Sequence, residues 1–282
     1  MKWKAGARGF LFVLGLLLTG DLADFVKERE SLMRLNNLGK RLCVATVLLF
    51  AVNARAGTME DCLIISEVVD GDRSGGNPKF VEITNTSNTD YTFANGGIIL
   101  QSNAATDLDI DVDLSGVTIL AGQSYVIQST ANDGQAQFEA AYGFAADLYT
   151  PAFFSNGDDR YILAKDDDTP GAGGVSTLAD LLDIHGEIDV DGSGTAWEYL
   201  DSYAYRLPAF NEGNDGSFVL AEWFHGGNGA LDAADDAARD ALLLSLTTPG
   251  THVYDPWVPE PASIALLGLG GLGLVGFRRR VR

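Results

Sequence analysis

Between Cys62 and Trp223 the chain alternates short apolar runs with clusters of Gly, Asn, Asp and Ser. Apolar side chains at every second position are what a half-buried strand requires, and the polar clusters supply the residues that turns need. The pattern predicts strands over residues 63–69, 80–85, 97–101, 117–120, 124–128, 160–164, 181–184 and 218–221. So many short strands close a sandwich more readily than an open sheet. Residues 138–142 predict a short helical turn in a connection. Residues 232–246, rich in Ala and Leu with an acidic start, predict a helix whose first turn suits the backbone dipole. Thr248-Pro249-Gly250 then ends it. The expected fold is all-β, a sandwich with helical additions.

The two ends break this pattern. Residues 34–56 have the parts of a secretory signal: basic Arg34, Lys40 and Arg41, an apolar run over 42–52, and small Ala54 and Ala56 flanking Arg55. Cleavage is expected after Ala56. A second apolar run, residues 9–20, lies upstream behind Lys2, Lys4 and Arg8, and two signals in series serve no purpose. Met33 sits directly before the better one, so translation is expected to start there; the alternative is a genuine long signal or an N-terminal membrane helix. At the other end, residues 262–277 carry no charge and are closed by Arg278, Arg279 and Arg280. This apolar stretch falls short of the roughly 20 residues a stable spanning helix needs, and its glycines weaken it further. It reads as a weak, temporary anchor with the arginines on the cytoplasmic side.

Pro259-Glu260-Pro261, the apolar span and the basic end stand in fixed order at the C-terminus. Together they resemble the PEP-CTERM sorting signal of Gram-negative bacteria. That resemblance implies recognition by an exosortase, cleavage near the motif, and release to the cell surface or into an exopolysaccharide matrix. The expected organisation is a signal region over 1–56, a β-sandwich over 57–228, a helical extension and linker over 229–257, and the sorting signal over 258–282.

Charge narrows the partners. The net charge is −20, yet residues 57–258 hold 34 Asp and Glu against Arg73, Lys79, Arg160, Lys165, Arg206 and Arg239. A body this acidic repels phosphate backbones, so no nucleic-acid partner is expected and cations are the more plausible small ligands. Removal of Cys43 with the signal leaves Cys62 alone, so no intrachain disulfide is expected. An apolar share of 46% is enough for a packed core.

Several runs of the body resemble a lamin-tail domain, an immunoglobulin-like sandwich. They are residues 63–69, then Phe80-Val81-Glu82-Ile83-Thr84-Asn85, then residues 119–127, then Asn156-Gly157-Asp158-Asp159 leading into 160–163. Residues 184–206, with Gly186, Trp197 and Arg206, are similar to that family's closing strands, and Thr248-Pro249-Gly250 to the segment after them. The resemblance implies an immunoglobulin-like topology and carries no single catalytic chemistry. Residues 166–179 and 231–246 depart from it as insertions.

Candidate chemistry is sparse. Asp189, Asp191 and Ser193 place oxygens at alternate positions around glycines, as a calcium loop does, although the EF-hand pattern is not met because Leu200 stands at its twelfth position. The competing reading is an acidic hairpin turn. Asp158-Asp159 and Asp166-Asp167-Asp168 offer further carboxylates, and the loop from Asp70 to Pro78 joins two strands where binding surfaces are often built. His185, His225 and His252 are the candidate bases, but no Gly-x-Ser-x-Gly elbow presents a serine. Trp197, Tyr199, Tyr203 and Tyr205 either stack on sugars or form sandwich core. The expectation is an exported, non-catalytic surface or matrix protein that binds a polysaccharide, protein or cation. The alternative is an extracellular hydrolase of polymers using acids of the Asp70 or Asp158 loops.

Overall fold

A computed structural model describes residues 60–165 and 177–255. They form twelve strands in a six-stranded, a four-stranded and a two-stranded sheet. β1 (Leu63–Arg73) and β2 (Asn77–Asn85) form the central antiparallel hairpin of the larger sheet. β2 pairs with β7 (Ser124–Ser129), which carries β8 (Leu148–Thr150) as a short parallel edge. On the other side β1 pairs with β11 (Ser202–Arg206), and β12 (Trp223–His225) closes that edge.

The second sheet runs β10-β9-β4-β5, that is Leu181–His185, Arg160–Ala164, Gly97–Gln101 and Val112–Asp113. β3 (Tyr91–Thr92) and β6 (Thr118–Ile119) pair with each other. Edges are short or covered, which limits unwanted strand pairing. On β10, the amide of Asp215 donates to Leu182 O at 3.1 Å and Asn214 Nδ2 to Ile184 O at 3.2 Å.

The two larger sheets share one core. Leu63, Ile65, Val68, Val81, Ile83 and Ile127 of the first meet Ile98, Leu100, Tyr161, Leu163 and Leu182 of the second. Strict two-residue alternation would turn Val68 away from Leu63 and Ile65. The register shift between Ile65 and Glu67 inserts an extra residue and returns Val68 to the core. Truncating such a fully buried Leu or Ile to Ala costs about 2–5 kcal/mol.

Both sheets are also covered on their outer faces, which is why β1, β2 and β9 are buried along most or all of their length. Ile99, Ile162, Ala164, Leu181 and Ile184 pack under loop residues Leu108, Ile110, Ile188 and Phe218. On the other side Val69, Phe80, Val126 and Tyr203 meet α1 (Gly134–Tyr142) and α2 (Asp236–Leu246) through Phe138, Ala141 and Leu243. Phe80 sits edge-on to Phe138 at 5.8 Å and to Tyr142 at 6.0 Å, an arrangement favoured by the ring quadrupoles. The cap of α2 is Asp235, whose side chain accepts from the Ala238 amide at 2.9 Å.

The predicted strands near 63–69, 80–85, 97–101, 117–120, 124–128, 160–164 and 181–184 all find a counterpart. Residues 218–221 do not form a strand. Leu220–Glu222 is a 3-10 turn with Val219 and Leu220 exposed, and the strand begins at Trp223. Trp223 faces Arg206 and His225 faces Ala204, so the inward positions are aromatic and polar rather than the aliphatic ones the pattern highlighted.

Candidate functional site

The loop that offers Asp189, Asp191 and Ser193 as candidate calcium ligands follows β10. Gly186 and Asp189 take positive φ angles and turn the chain back over β4. Gln101 of β4 then clamps Asp189: its Oε1 accepts from the Asp189 amide and its Nε2 donates to Asp189 Oδ1, both at 3.1 Å. Asp191 Oδ1 accepts from the Ser193 amide at 2.9 Å, and Ser193 Oγ donates to Asp158 Oδ2 at 2.6 Å. Asp189, Asp191 and Ser193 are thus each engaged by a different protein group. The backbone bond to Ser193 holds the Asp191 carboxyl below its ordinary range.

Asp158, Asp159 and Arg160 tie the same loops together from below. Asp159 Oδ1 accepts from the Asn103 amide at 2.7 Å, and its pKa is raised chiefly by burial. Arg160 is fully buried and donates to the carbonyls of Asn103 and Ala105. The acids of the Asp158 loop therefore serve as turn and strand anchors. Asp166, Asp167 and Asp168 lie outside the described residues.

The Asp70 to Pro78 loop leads to a second acidic group that no local spacing announces. One carboxylate oxygen each from Asp72, Asp201 and Asp232 lies within 4.8 Å of the others. Cationic side chains already reach this corner. Arg239 Nε of α2 donates to Asp72 at 2.5 Å, and Lys79 pairs with buried Asp70 next to the Asp201 amide. Burial, then Asp232 and Asp72, push the Asp201 carboxyl up.

A third cluster joins the sheets. Arg206 and Asp183 are fully buried and paired, and Asp183 also accepts from the amides of Ile65 at 2.6 Å and Asn214 at 3.1 Å. Arg206 further bonds Glu222 and lies 4.6 Å over the Trp223 ring. Beside it, His185 Nε2 and His225 Nε2 are 3.3 Å apart, so one donates and the other accepts. Burial drives both below the ordinary imidazole range, His225 to about 4.

Cys62 is pushed up to about 11 by burial and by Glu212 and Asp61, so it is a thiol at neutral pH. Of the aromatic group, Trp197, Tyr199 and Tyr203 are buried and belong to the body's packing. Tyr205 is half-buried, stacked at 4.9 Å on Phe224, which is 40% exposed.

The remaining constellation lies on the outer face of the β1–β2 hairpin, where Glu67 and Glu82 face each other across the strands. Both are fully buried. The segment after α2 runs over them: the Thr248 amide donates to both Glu67 oxygens at 3.0 and 3.1 Å, and the Gly250 amide to Glu82 Oε2 at 2.5 Å. Ser66 Oγ bonds Glu82 Oε1 at 2.6 Å. Burial dominates both carboxyls, raising Glu67 well above its ordinary value and Glu82 to about 7. The segment stays attached to its end, where the Asp255 amide donates to Pro208 O at 2.7 Å and Asn211 Nδ2 to Asp255 O at 2.6 Å.

The chain then enters its tail. Pro259, Glu260, Pro261, Arg278, Arg279 and Arg280 lie outside the described residues, as do Ala54 and Ala56. Among the described residues no helix is long and apolar enough to cross a membrane, and residues 262–277 are not among them. The family model of the PEP-CTERM protein-sorting motif matches residues 258–280. The match supports export and cell-surface sorting by an exosortase system. No curated protein matches the chain.

Proposed function

We propose that the protein is an exported, non-catalytic component of the cell surface or extracellular matrix, delivered by its C-terminal tail and built on a lamin-tail-type, immunoglobulin-like sandwich. The observation that carries the delivery is the sorting-motif match at residues 258–280. The tail holds the precursor in the membrane until an exosortase-type protease removes it, and the body then joins an exopolysaccharide or other matrix component.

A binding or structural role for the body is supported by how its polar groups are used. The acids of the two loops favoured for hydrolysis are engaged by the fold, Asp70 by Lys79 and Asp158 by Ser193. The buried histidines pair with each other rather than with a hydroxyl or thiol. The strongly acidic surface suits a polymer bridged through cations better than a polyanion bound directly.

The delivery is tested by replacing Pro259, Glu260 and Pro261 with Ala and fractionating the cells. The variant is expected to accumulate in the membrane at precursor length, while the wild-type body reaches the surface or medium. Equal distribution of the two chains would overturn the proposal.

A further inference from the structure

The segment over residues 247–255 is held differently from the rest of the body. Thr247 and Pro249 are its buried residues, whereas Thr248, Gly250, Thr251, Val253 and Asp255 are exposed. Its attachment rests on hydrogen bonds: Thr247 Oγ1 donating to Leu243 O at 2.7 Å and lying 2.8 Å from Tyr142 OH, two amides on Glu67 and Glu82, the His252 amide on Ser124 Oγ at 3.5 Å, and the Asp255 contacts with Pro208 and Asn211. Few buried apolar contacts and exposed backbone bonds mark the low-stability end of a fold.

What it covers is costly to cover. Two carboxyl groups that face each other across a hairpin are removed from water by this strap, and both regain hydration when it lifts. Around them stand Ser66 of β1, Ser124 of β7, Tyr142 of α1, Tyr203 and Tyr205 of β11, Asp147 before β8, Asp240 of α2 and His252 of the strap itself. None of these is a lysine or arginine; the cation whose charge is felt at the strap is Arg206, which acts on His252 and is itself paired with Asp183 and Glu222.

We propose that residues 247–255 form a releasable latch on the sorting tail, docked on Glu67 and Glu82, whose release lengthens the tether between body and sorting motif. Docked, the strap leaves three residues between Asp255 and Pro259, a reach of at most about 14 Å at ~3.5 Å per residue. Released, the tether starts at the end of α2, and twelve residues precede Pro259, for a reach of about 45 Å. The difference decides how closely the folded body must approach whatever reads the motif. This tether role rests on the sorting function proposed above; the latch itself rests on the geometry.

Protonation biases the equilibrium. An acid whose docked pKa is raised contributes stability fully present below its ordinary value and lost as pH rises through the docked one. For Glu82 that window runs from about 4.5 to about 7, and Glu67 shifts in the same direction. His252 of the strap, lowered to about 4 by burial, acts the other way as pH falls below about 6.5, but one imidazole opposes two carboxyls, so the latch is tighter in acid.

Hydrogen exchange read by mass spectrometry on the full chain tests this, with rates corrected for intrinsic exchange. Strap amides are expected to lose about tenfold protection or more between pH 5 and pH 8, while amides of β2 and β7 keep theirs. The Glu67→Gln/Glu82→Gln variant should lose this fall in strap protection between pH 5 and pH 8. Strap protection that is unchanged in the wild type, or that falls in step with β2 and β7, overturns the latch even if the variant fails to fold. Eight Gly and Ser residues inserted after Asp255 supply reach without release and are expected to speed tail removal about twofold or more. An unchanged or lower rate overturns the tether role. A wild-type tail that is never removed overturns the sorting function and leaves the exchange result standing.

Discussion

Replacing Arg206 by Ala is expected to cost this fold about 4 kcal/mol. Its guanidinium is fully buried between the sheets, and Asp183, its partner, is equally inaccessible. Removal leaves that carboxylate with only the amides of Ile65 and Asn214, and breaking one side of a buried pair costs about 3–5 kcal/mol. Loss of the Trp223 contact adds to this. With a urea dependence of about 2 kcal/mol per molar, the unfolding midpoint drops by about 2 M at unchanged slope. The sign of the pH effect is a second check. Burial already raises the Asp183 carboxyl, with Arg206 opposing, so its pKa rises further in the variant. A raised acid gains stability as pH falls, so the deficit relative to wild type should shrink between pH 7.5 and pH 4.5. A midpoint drop below about 0.5 M, or a deficit independent of pH, would refute the reasoning. Arg206→Met combined with Asp183→Asn should cost less than Arg206→Ala alone, because no full charge is left stranded.

Three further outcomes follow. Since burial lowers His185 and His225, their contribution is present above about 6.5 and is lost as pH falls toward about 4, while raised acids such as Glu82 change the opposite way, so the melting-temperature difference between His225→Gln and wild type should shift in the variant's favour across that window. Gly192→Ala places a Cβ 2.3 Å from the Trp197 ring and should cost about 1–3 kcal/mol by urea titration; a neutral result would mean the ring moves freely. Phe80→Ala removes the ring shared by Phe138 and Tyr142 and should cost about 3–5 kcal/mol, with loosened α1 amides in hydrogen exchange.

The central strands of the second sheet were legible because they are short continuous apolar runs bounded by polar and turn residues: 97–101 and 160–164 are predicted with the bounds they have. β11 is not among the strands the pattern predicts, since Ser202, Ala204 and Arg206 place two polar side chains on the inward face. β12 was displaced for the same reason, because Trp223 and His225 serve a buried charge rather than an aliphatic layer. The sorting tail reads directly from sequence because its physics is local: a motif, an apolar span and a basic end. The Asp72, Asp201 and Asp232 corner and the Glu67 and Glu82 pair do not, since each is assembled by topology from residues far apart in the chain. Thr248-Pro249-Gly250 was visible as a helix stop, but its docking on two glutamates depends on the hairpin register.

A tail that delivers the body and is then removed leaves a shortened protein outside the cell. Intact-mass and terminal-peptide mass spectrometry of the protein recovered from the cell surface or medium tests it most directly. The account predicts a mature chain that begins at Gly57 and ends close to Pro259, with no peptide from residues 262–282. Recovery of the surface protein with Arg278, Arg279 and Arg280 still attached would contradict it.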